Sequence, residues 1–526
     1  MSSIEEIPAQ NFEVDKKVMN QIGKQFEFKD LTINSSQTIK LFLNIVKNMI
    51  IMNIDNSNLE ITETVISISG LSALTKYHMY EDNYHNHIEF ITDNEGMYSF
   101  KLDLSKTHLI FIQTDTSTIY LTEDGWSDES IGSWNPETRL ATIKEKVYDT
   151  IEIDVDNVIV DGNNNELIGS DYGNGIFINE KQNVTITRFK ISHFTNAIFG
   201  QRCFNIQIKD NDINYNTNDG VYLFNCYYND LRQNTISSNS NDGIWLSNCH
   251  YTKINDNGLN NNNDDGIWLA DSHNIEIIDN KLNSNRYSSV WLTHCSNIKV
   301  ESNITSNSVY YAIKLYFCIE SAVLNNYILG NQYDGVEVYF STNSKIQNNI
   351  IDNNRYSGIR FYSSNSNKVK NNKICNNRYG ITLYYSCDNK ILENRINSNI
   401  NNGIYSYNEC INNQIINNEI FDNNNGLYLV YSHYNKLERN DINNNSNYGI
   451  YISKCSFNKI YNNNFIKNFN HAGDFDGYNA FNIEKPYGGN YWDTWTEPDD
   501  NDDGFVDIPY KIEGGNEDKL PLTKPI

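Results

Sequence analysis

Lys314, Glu337 and Arg360 stand 23 residues apart, and Asp334 comes three residues before Glu337. If the chain repeats with that period, base, acid and base fall in one column with a second carboxylate beside it. Two readings follow. In one, Glu337 or Asp334 is the acid or base and Lys314 or Arg360 neutralises a uronate, so that a sugar polymer is cleaved or epimerised there. In the other, the column is a ladder of ion pairs. Neighbouring rungs of a stacked sheet place carboxylates about 5 Å apart and alternate rungs about 10 Å apart, so both glycosidase geometries are within reach. No complete pectinase or pectate-lyase signature accompanies the column.

The same column is aromatic earlier in the chain: Phe177, Phe199, Tyr222, Trp245, Trp268 and Trp291 precede Lys314. Two positions further on runs another set, Tyr316, Tyr339, Tyr362, Tyr384 and Tyr407. Period-two alternation points both sets outward. A contiguous aromatic strip on a soluble sheet suits stacking on pyranose rings, with Tyr222, Trp245, Trp268, Trp291, Tyr316, Tyr339 and Tyr362 as the binding residues. A protein interface, or ring stacking that only stabilises the sheet, would use the same residues. Asp219, Asp242, Asp265 and Asp334 each precede a marker glycine and read as turn chemistry or as a stacked carboxylate row.

Near the C-terminus, Asp499, Asn501, Asp503, Phe505 and Asp507 occupy alternate positions of a calcium-type loop, with Gly504 at its sharp turn. Lys511 stands where an EF-hand has its last glutamate, so an irregular loop with a structural Ca2+ is expected, against a solvated acidic turn as the alternative. His78, Glu81, Asp82, His85 and His87 are a second candidate metal cluster, set against plain polar surface. Six of nine cysteines (Cys203, Cys226, Cys249, Cys295, Cys318 and Cys455) sit six residues after a small marker, with no CxxC pair, and are expected as a ladder of buried thiols.

What must position these residues is a repeat. Small residues at Gly175, Ala197, Gly220, Gly243, Gly266, Ser289, Ala312, Gly335, Gly358, Gly380, Gly403, Gly426 and Gly449 are separated by ten intervals of 23 and two of 22. Asn211, Asn234, Asn257, Asn280, Asn303, Asn326, Asn349 and Asn372 keep 23 throughout. After each marker the first and third residues are apolar, as in Ile244/Leu246 and Ile267/Leu269, and no 3.6-residue pattern occurs. Short strands at this period stack as a right-handed parallel β-helix of about 13 coils, roughly 60 Å long. Asparagine suits the turns because it tolerates the left-handed conformation and bonds its neighbours in a stack.

The net charge of −25 and pI of about 4.8 argue against nucleic acid and suit cations or a neutral polymer. No 18-residue apolar run and no visible signal peptide occur. The expected all-β layout is an N-terminal tail (1–29), a β-sandwich-like, fibronectin-III-like domain (30–145), the β-helix (146–473) and a C-terminal cap (474–526).

The repeat resembles NosD-like, or CASH-type, parallel β-helix proteins within the pectin-lyase-like fold. The tail, with Gly488-Gly489-Asn490-Tyr491-Trp492, the acidic loop and Asp507-Ile508-Pro509-Tyr510, is similar to the C-terminal signature of surface-layer-type members. The resemblance implies one of three roles: a carbohydrate-interacting surface protein, a polysaccharide lyase, hydrolase or uronan epimerase, or a purely structural envelope, sheath or virion component. It also implies an extracellular or surface location and allows a homo-oligomer or surface assembly.

Overall fold

The structure, a computed structural model, describes residues 18–46, 49–56, 62–114 and 117–526. The expected tail lies outside the described residues up to position 17, and from Val18 the chain is strand. Among the described residues, no helix is long and apolar enough to cross a membrane.

From Thr118 onward the chain winds as a parallel β-helix with three sheets, each coil giving one short strand to each. Ile244–Ser247, Lys253–Asn255 and Gly258–Asn260 make one such coil. The third sheet has 15 strands, hence about 15 turns, two more than the markers give. Pairing follows the repeat: Trp245 lies beside Trp268, Trp268 beside Trp291, Trp291 beside Lys314, Lys314 beside Glu337 and Glu337 beside Arg360. Inside, Leu246, Leu269, Leu292 and Leu315 are fully buried, each contributing about 1.5–3 kcal/mol of apolar burial. The small marker is needed because coils approach closely: a Cβ on Gly243 would lie 2.6 Å from the Gly266 carbonyl oxygen. The cysteines are free thiols, all buried except the partly covered Cys387.

The asparagine marker is a hydrogen-bond ladder. Each Oδ1 accepts the backbone N–H and the Nδ2 of the asparagine one coil earlier, as between Asn257 and Asn280 at 3.0 Å each. A second ladder passes through Asn216, Asn239, Asn262 and Asn285. The residues just before the first ladder are left-handed, among them Gln233 (φ 55), Asp256 (φ 54) and Asp279 (φ 55). The ladder side chain thus fixes the turn while its predecessor makes it, and other asparagines, such as Asn225 (φ 54), Asn248 (φ 50) and Asn274 (φ 55), take the left-handed conformation themselves.

Both ends differ in extent from the sequence reading. Thr118–Thr122 pairs in parallel with Thr150–Ile153, so the solenoid starts about 28 residues before position 146. Tyr491–Trp492 pairs with Asn464–Phe465, so the GGNYW segment closes the last coil. Before the solenoid lies one eight-stranded antiparallel sheet, Val18 to Gln113, in which the long strand Leu31–Val46 pairs with Glu63–Ser69 through its first half and Met49–Asn56 through its second. The sheet thereby folds over its own core, which includes Ile33, Leu41, Met52, Ile68 and Ile110.

Candidate functional site

The outward ladder does exist as ring contacts, stacked except where Phe199 meets Tyr222 edge-on at 5.0 Å. Centroid separations are 5.9 Å for Phe177–Phe199, 4.0 Å for Tyr222–Trp245, 4.9 Å for Trp245–Trp268 and 5.9 Å for Trp268–Trp291. It is not open. Tyr222 is 0 %, Trp245 1 %, Trp268 5 % and Trp291 4 % exposed. The N-terminal sheet lies on its first rungs: Phe111 meets Phe177 edge-on at 5.4 Å and Phe199 at 5.3 Å, and Phe42 meets Phe224 at 4.5 Å. These four expected binding residues therefore belong to a buried apolar cluster shared with the sheet. The reason is physical: six stacked aromatic rungs left in water would be a large apolar patch, and the chain covers it itself.

Polar contacts rim this seam. Asn174 Nδ2 donates to Tyr84 Oη at 3.0 Å, Asn179 Nδ2 to the Asp82 carbonyl at 2.7 Å and Arg202 Nη1 to the Thr107 carbonyl at 3.0 Å. His108 Nδ1 lies 3.0 Å from both Glu81 Oε1 and Asp82 Oδ2. Burial lowers the His108 pKa, but these carboxylates outweigh it and raise it to about 9. The expected histidine cluster therefore divides. Glu81 and Asp82 turn to His108, and His85 stacks on Tyr120 at 3.7 Å. His78 and His87 face each other at 2.7 Å, with Glu89 3.8 Å from His78 and paired to Lys76. The five do not converge on one point.

The charged column follows Trp291. Lys314 Nζ lies 3.2 Å from Glu337 Oε2, and Arg360 Nη1 lies 3.8 Å from Asp334 Oδ2. Lys314 is also ringed by aromatics, 4.5 Å from the Tyr311 centroid, 5.4 Å from Trp291, 5.7 Å from Tyr316 and 6.0 Å from Tyr339. Asp334, fully buried, accepts the Ser357 N–H at 2.7 Å. Burial pushes its pKa up to about 6, opposed by the Arg360 charge and reinforced by Glu337. Burial likewise pushes the Tyr311 phenol up. Lys314 with Glu337 and Arg360 with Asp334 thus form two close pairs, and burial holds the Asp334 carboxyl above the usual carboxylate range. Asp219, Asp242 and Asp265 are fully buried too, and Asp242 Oδ1 accepts the Asp265 N–H at 2.9 Å, so this row ties one coil to the next.

Beyond the column the face opens. Tyr316, Tyr339, Tyr362, Tyr384 and Tyr407 are partly exposed and stack at 5.4, 4.7, 5.0 and 5.7 Å. A second row, absent from the sequence reading, stands beside it: Phe317 and Phe340 stack at 5.0 Å, Ser363 interrupts the column, and Tyr385 stands one coil further on. The rows meet edge-on, Tyr316–Phe317 and Tyr339–Phe340 both at 4.7 Å and Tyr384–Tyr385 at 4.5 Å. The doublets Tyr316-Phe317 and Tyr339-Phe340 at repeat spacing, with Tyr384-Tyr385 two repeats on, were the available signal. On the other side of the charged column run Tyr333 and Tyr356, 4.4 Å apart.

In the acidic loop, Asp499 accepts the N–H groups of Asp503 (3.1 Å) and Gly504 (2.9 Å). Asp507 accepts the Asp500 N–H at 2.7 Å and the Asn501 side chain at 2.6 Å. Asp503 pairs with Lys485, and Phe505 is anchored by an N–H bond to Asp503 at 3.1 Å. Gly504 has φ +89°, the left-handed turn that calls for glycine.

Three overlapping stretches, residues 258–377, 283–425 and 354–497, match the family described as periplasmic copper-binding protein (NosD), and residues 149–304 match the right-handed β-helix region family. No curated protein matches the chain by sequence. Similar solved structures include a periplasmic alginate epimerase (13 % identity, 54 % of this chain and 84 % of that one, TM-score 0.36). Others are a mannuronan C-5 epimerase A-module of Azotobacter vinelandii (15 %, 55 % and 90 %, TM-score 0.36) and the catalytic domain of a GH87 α-1,3-glucanase (13 %, 72 % and 93 %, TM-score 0.42). Among the described residues, the NosD-matched stretch gathers no imidazole or thiol set suited to copper. Its cysteines donate to backbone carbonyls, as Cys295 does to Leu269 at 3.5 Å, and the one acidic group that reaches into it, Asp242 with Asp264 and Asp265, offers only oxygen. The chain is a NosD-like right-handed parallel β-helix protein.

Proposed function

We propose that the face between Tyr316 and Tyr407 binds a polysaccharide. The observation that carries this reading is the pair of adjoining aromatic rows: tyrosines recur once per coil from Tyr316 to Tyr407, and Phe317, Phe340 and Tyr385 beside them are each 41 % exposed. Flat apolar faces at that spacing suit the C–H faces of successive sugar rings, while the tyrosine hydroxyls suit their hydroxyls. The Arg360 guanidinium, over the buried Asp334, offers a charge for a uronate carboxylate. The family's description as periplasmic favours a place outside the cytoplasm. On a glycan array followed by calorimetry, the Tyr339→Ala/Phe340→Ala protein is expected to bind its best polysaccharide about tenfold more weakly than wild type. Equal binding would remove the reading and leave a structural role.

A second reading is favoured by Asp334, whose pKa of about 6 provides a general acid beside Glu337. Release of unsaturated or reducing ends from a uronan, abolished in both Glu337→Gln and Asp334→Asn, would establish catalysis.

We also infer that the loop from Asp499 to Asp507 takes Ca2+ as a structural ion. The Asp499 and Asp507 carboxylates already converge on the loop's own amides, and Ca2+ would take the place of the Lys485 ammonium at Asp503. A site saturated at 100 times its Kd adds about 2.7 kcal/mol. Calcium should therefore raise the melting temperature and chelator should lower it, and an unchanged melting curve would reject the ion.

A further inference from the structure

We propose a second saccharide site, for a short neutral oligosaccharide, in the seam where the N-terminal sheet meets the first coils. A half-open cavity of about 660 Å³ lies there, within the size range of small-ligand sites and at a junction between two structural units. The sheet supplies Lys40, Asn53 and Asp55 to one wall, and the solenoid supplies Arg202, Phe204 and Tyr227 to the other.

Three observations define the ligand. The first is charge. In a chain of net charge −25, the charged groups lining this cavity are Lys40 and Arg202 against Asp55 and Asp271, which cancel. Lys40 has no ion-pair partner among the described residues, although Asp55 is its neighbour across the sheet. Such a lining favours groups that both donate and accept, as sugar hydroxyls do, over a carboxylate or an ammonium. The second is an unmet donor. Asn53 is 5 % exposed and accepts the Gln201 Nε2 at 2.6 Å, yet its own Nδ2 has no partner among the described residues. A buried amide N–H beside a cavity calls for an acceptor there, from solvent or from a ligand. The third is a platform at the mouth. Phe204 is 48 % and Tyr227 37 % exposed, and from Phe204 the rings continue along the coils to Tyr228 at 5.1 Å and Tyr251 a further 4.9 Å on.

This seam is separate from the Tyr316–Tyr407 face, so either site can fail without the other. The probes are three neutral hexasaccharides, of β-1,4-glucose, α-1,4-glucose and β-1,4-N-acetylglucosamine, followed by saturation-transfer NMR and calorimetry on the full chain. At least one is expected to bind, and Phe204→Ala/Tyr227→Ala is expected to weaken it about tenfold or more while Tyr362→Ala leaves it unchanged. Both seam residues are surface rings, so matched melting curves will show that the fold is kept. The proposal is overturned if none of the three binds, if the seam variant binds like wild type, or if Tyr362→Ala removes binding.

Discussion

Truncating Phe111 to alanine is expected to weaken the hold of the N-terminal sheet on the solenoid by about 3–5 kcal/mol. Phe111 is fully buried and touches Phe177 and Phe199 on the solenoid and Tyr84 on its own sheet, at 5.4, 5.3 and 5.9 Å between centroids. Its removal takes one ring from each of these contacts and opens a cavity in the shared apolar cluster. The effect should be local. The sheet has its own core around Ile33, Leu41 and Ile110, and the coils have theirs, so the first event in denaturant is separation rather than global unfolding. Tryptophan emission reports it, because Trp245, Trp268 and Trp291, almost unexposed, belong to the apolar cluster that the sheet and the solenoid share. Emission should shift to the red at a lower denaturant concentration than in wild type, ahead of the loss of β-sheet circular dichroism. Ile22→Ala, at a side chain 67 % exposed, should move the midpoint by no more than about 0.5 kcal/mol. A Phe111→Ala midpoint equal to wild type would mean that the sheet is held by something other than this cluster.

The same burial marks the limit of what the sequence discloses. Period-two alternation separates residues inside a coil from those outside it, and it assigned Leu246 and Trp245 to opposite sides correctly. It carries no information on whether another part of the chain covers the outside. Phe42, Tyr84 and Phe111 lie 66 to 182 residues from the rings they meet and share no period with them, so nothing local announces the contact. The register of Lys314, Glu337 and Arg360 was legible for the opposite reason, since pairing between coils is the repeat itself. Their burial was not, because it depends on the rings around them. Lys314 and Glu337 are 5 % and 3 % exposed, a depth at which unpaired charges would be costly and paired ones are tolerated. The Phe317 and Phe340 row escaped notice because both residues have positive φ, 52° and 47°, where a phenylalanine is not expected.

The ladder asparagines carry the second large effect: Asn280→Asp is expected to cost about 2–6 kcal/mol at neutral pH, although it changes one atom. Asn280 is fully buried and uses both ends of its amide. Its Oδ1 accepts the N–H and Nδ2 of Asn257, which a carboxylate could still do. Its Nδ2 donates to the Ile254 carbonyl at 2.8 Å, the Ile278 carbonyl at 3.0 Å and Asn303 Oδ1 at 3.0 Å. A carboxylate has no hydrogen to give, so these oxygens lose a donor and face another oxygen, with a buried charge added. Burial and lack of donors hold the new carboxyl's pKa in the fold above its unfolded value of about 4. The sign follows. Below the unfolded value the acid is protonated in both states and can donate again, so the deficit is small, and it grows as pH rises through the raised value. Chemical denaturation from pH 4 to pH 8 should therefore show the variant approaching wild type at the acid end and falling away from it at the other. Asn263→Asp, on the exposed side of a neighbouring turn, should stay within about 0.5 kcal/mol throughout. A ladder variant no less stable than this control at pH 8 would mean that the stacked amides decorate the coils and that the aliphatic core alone sets the register.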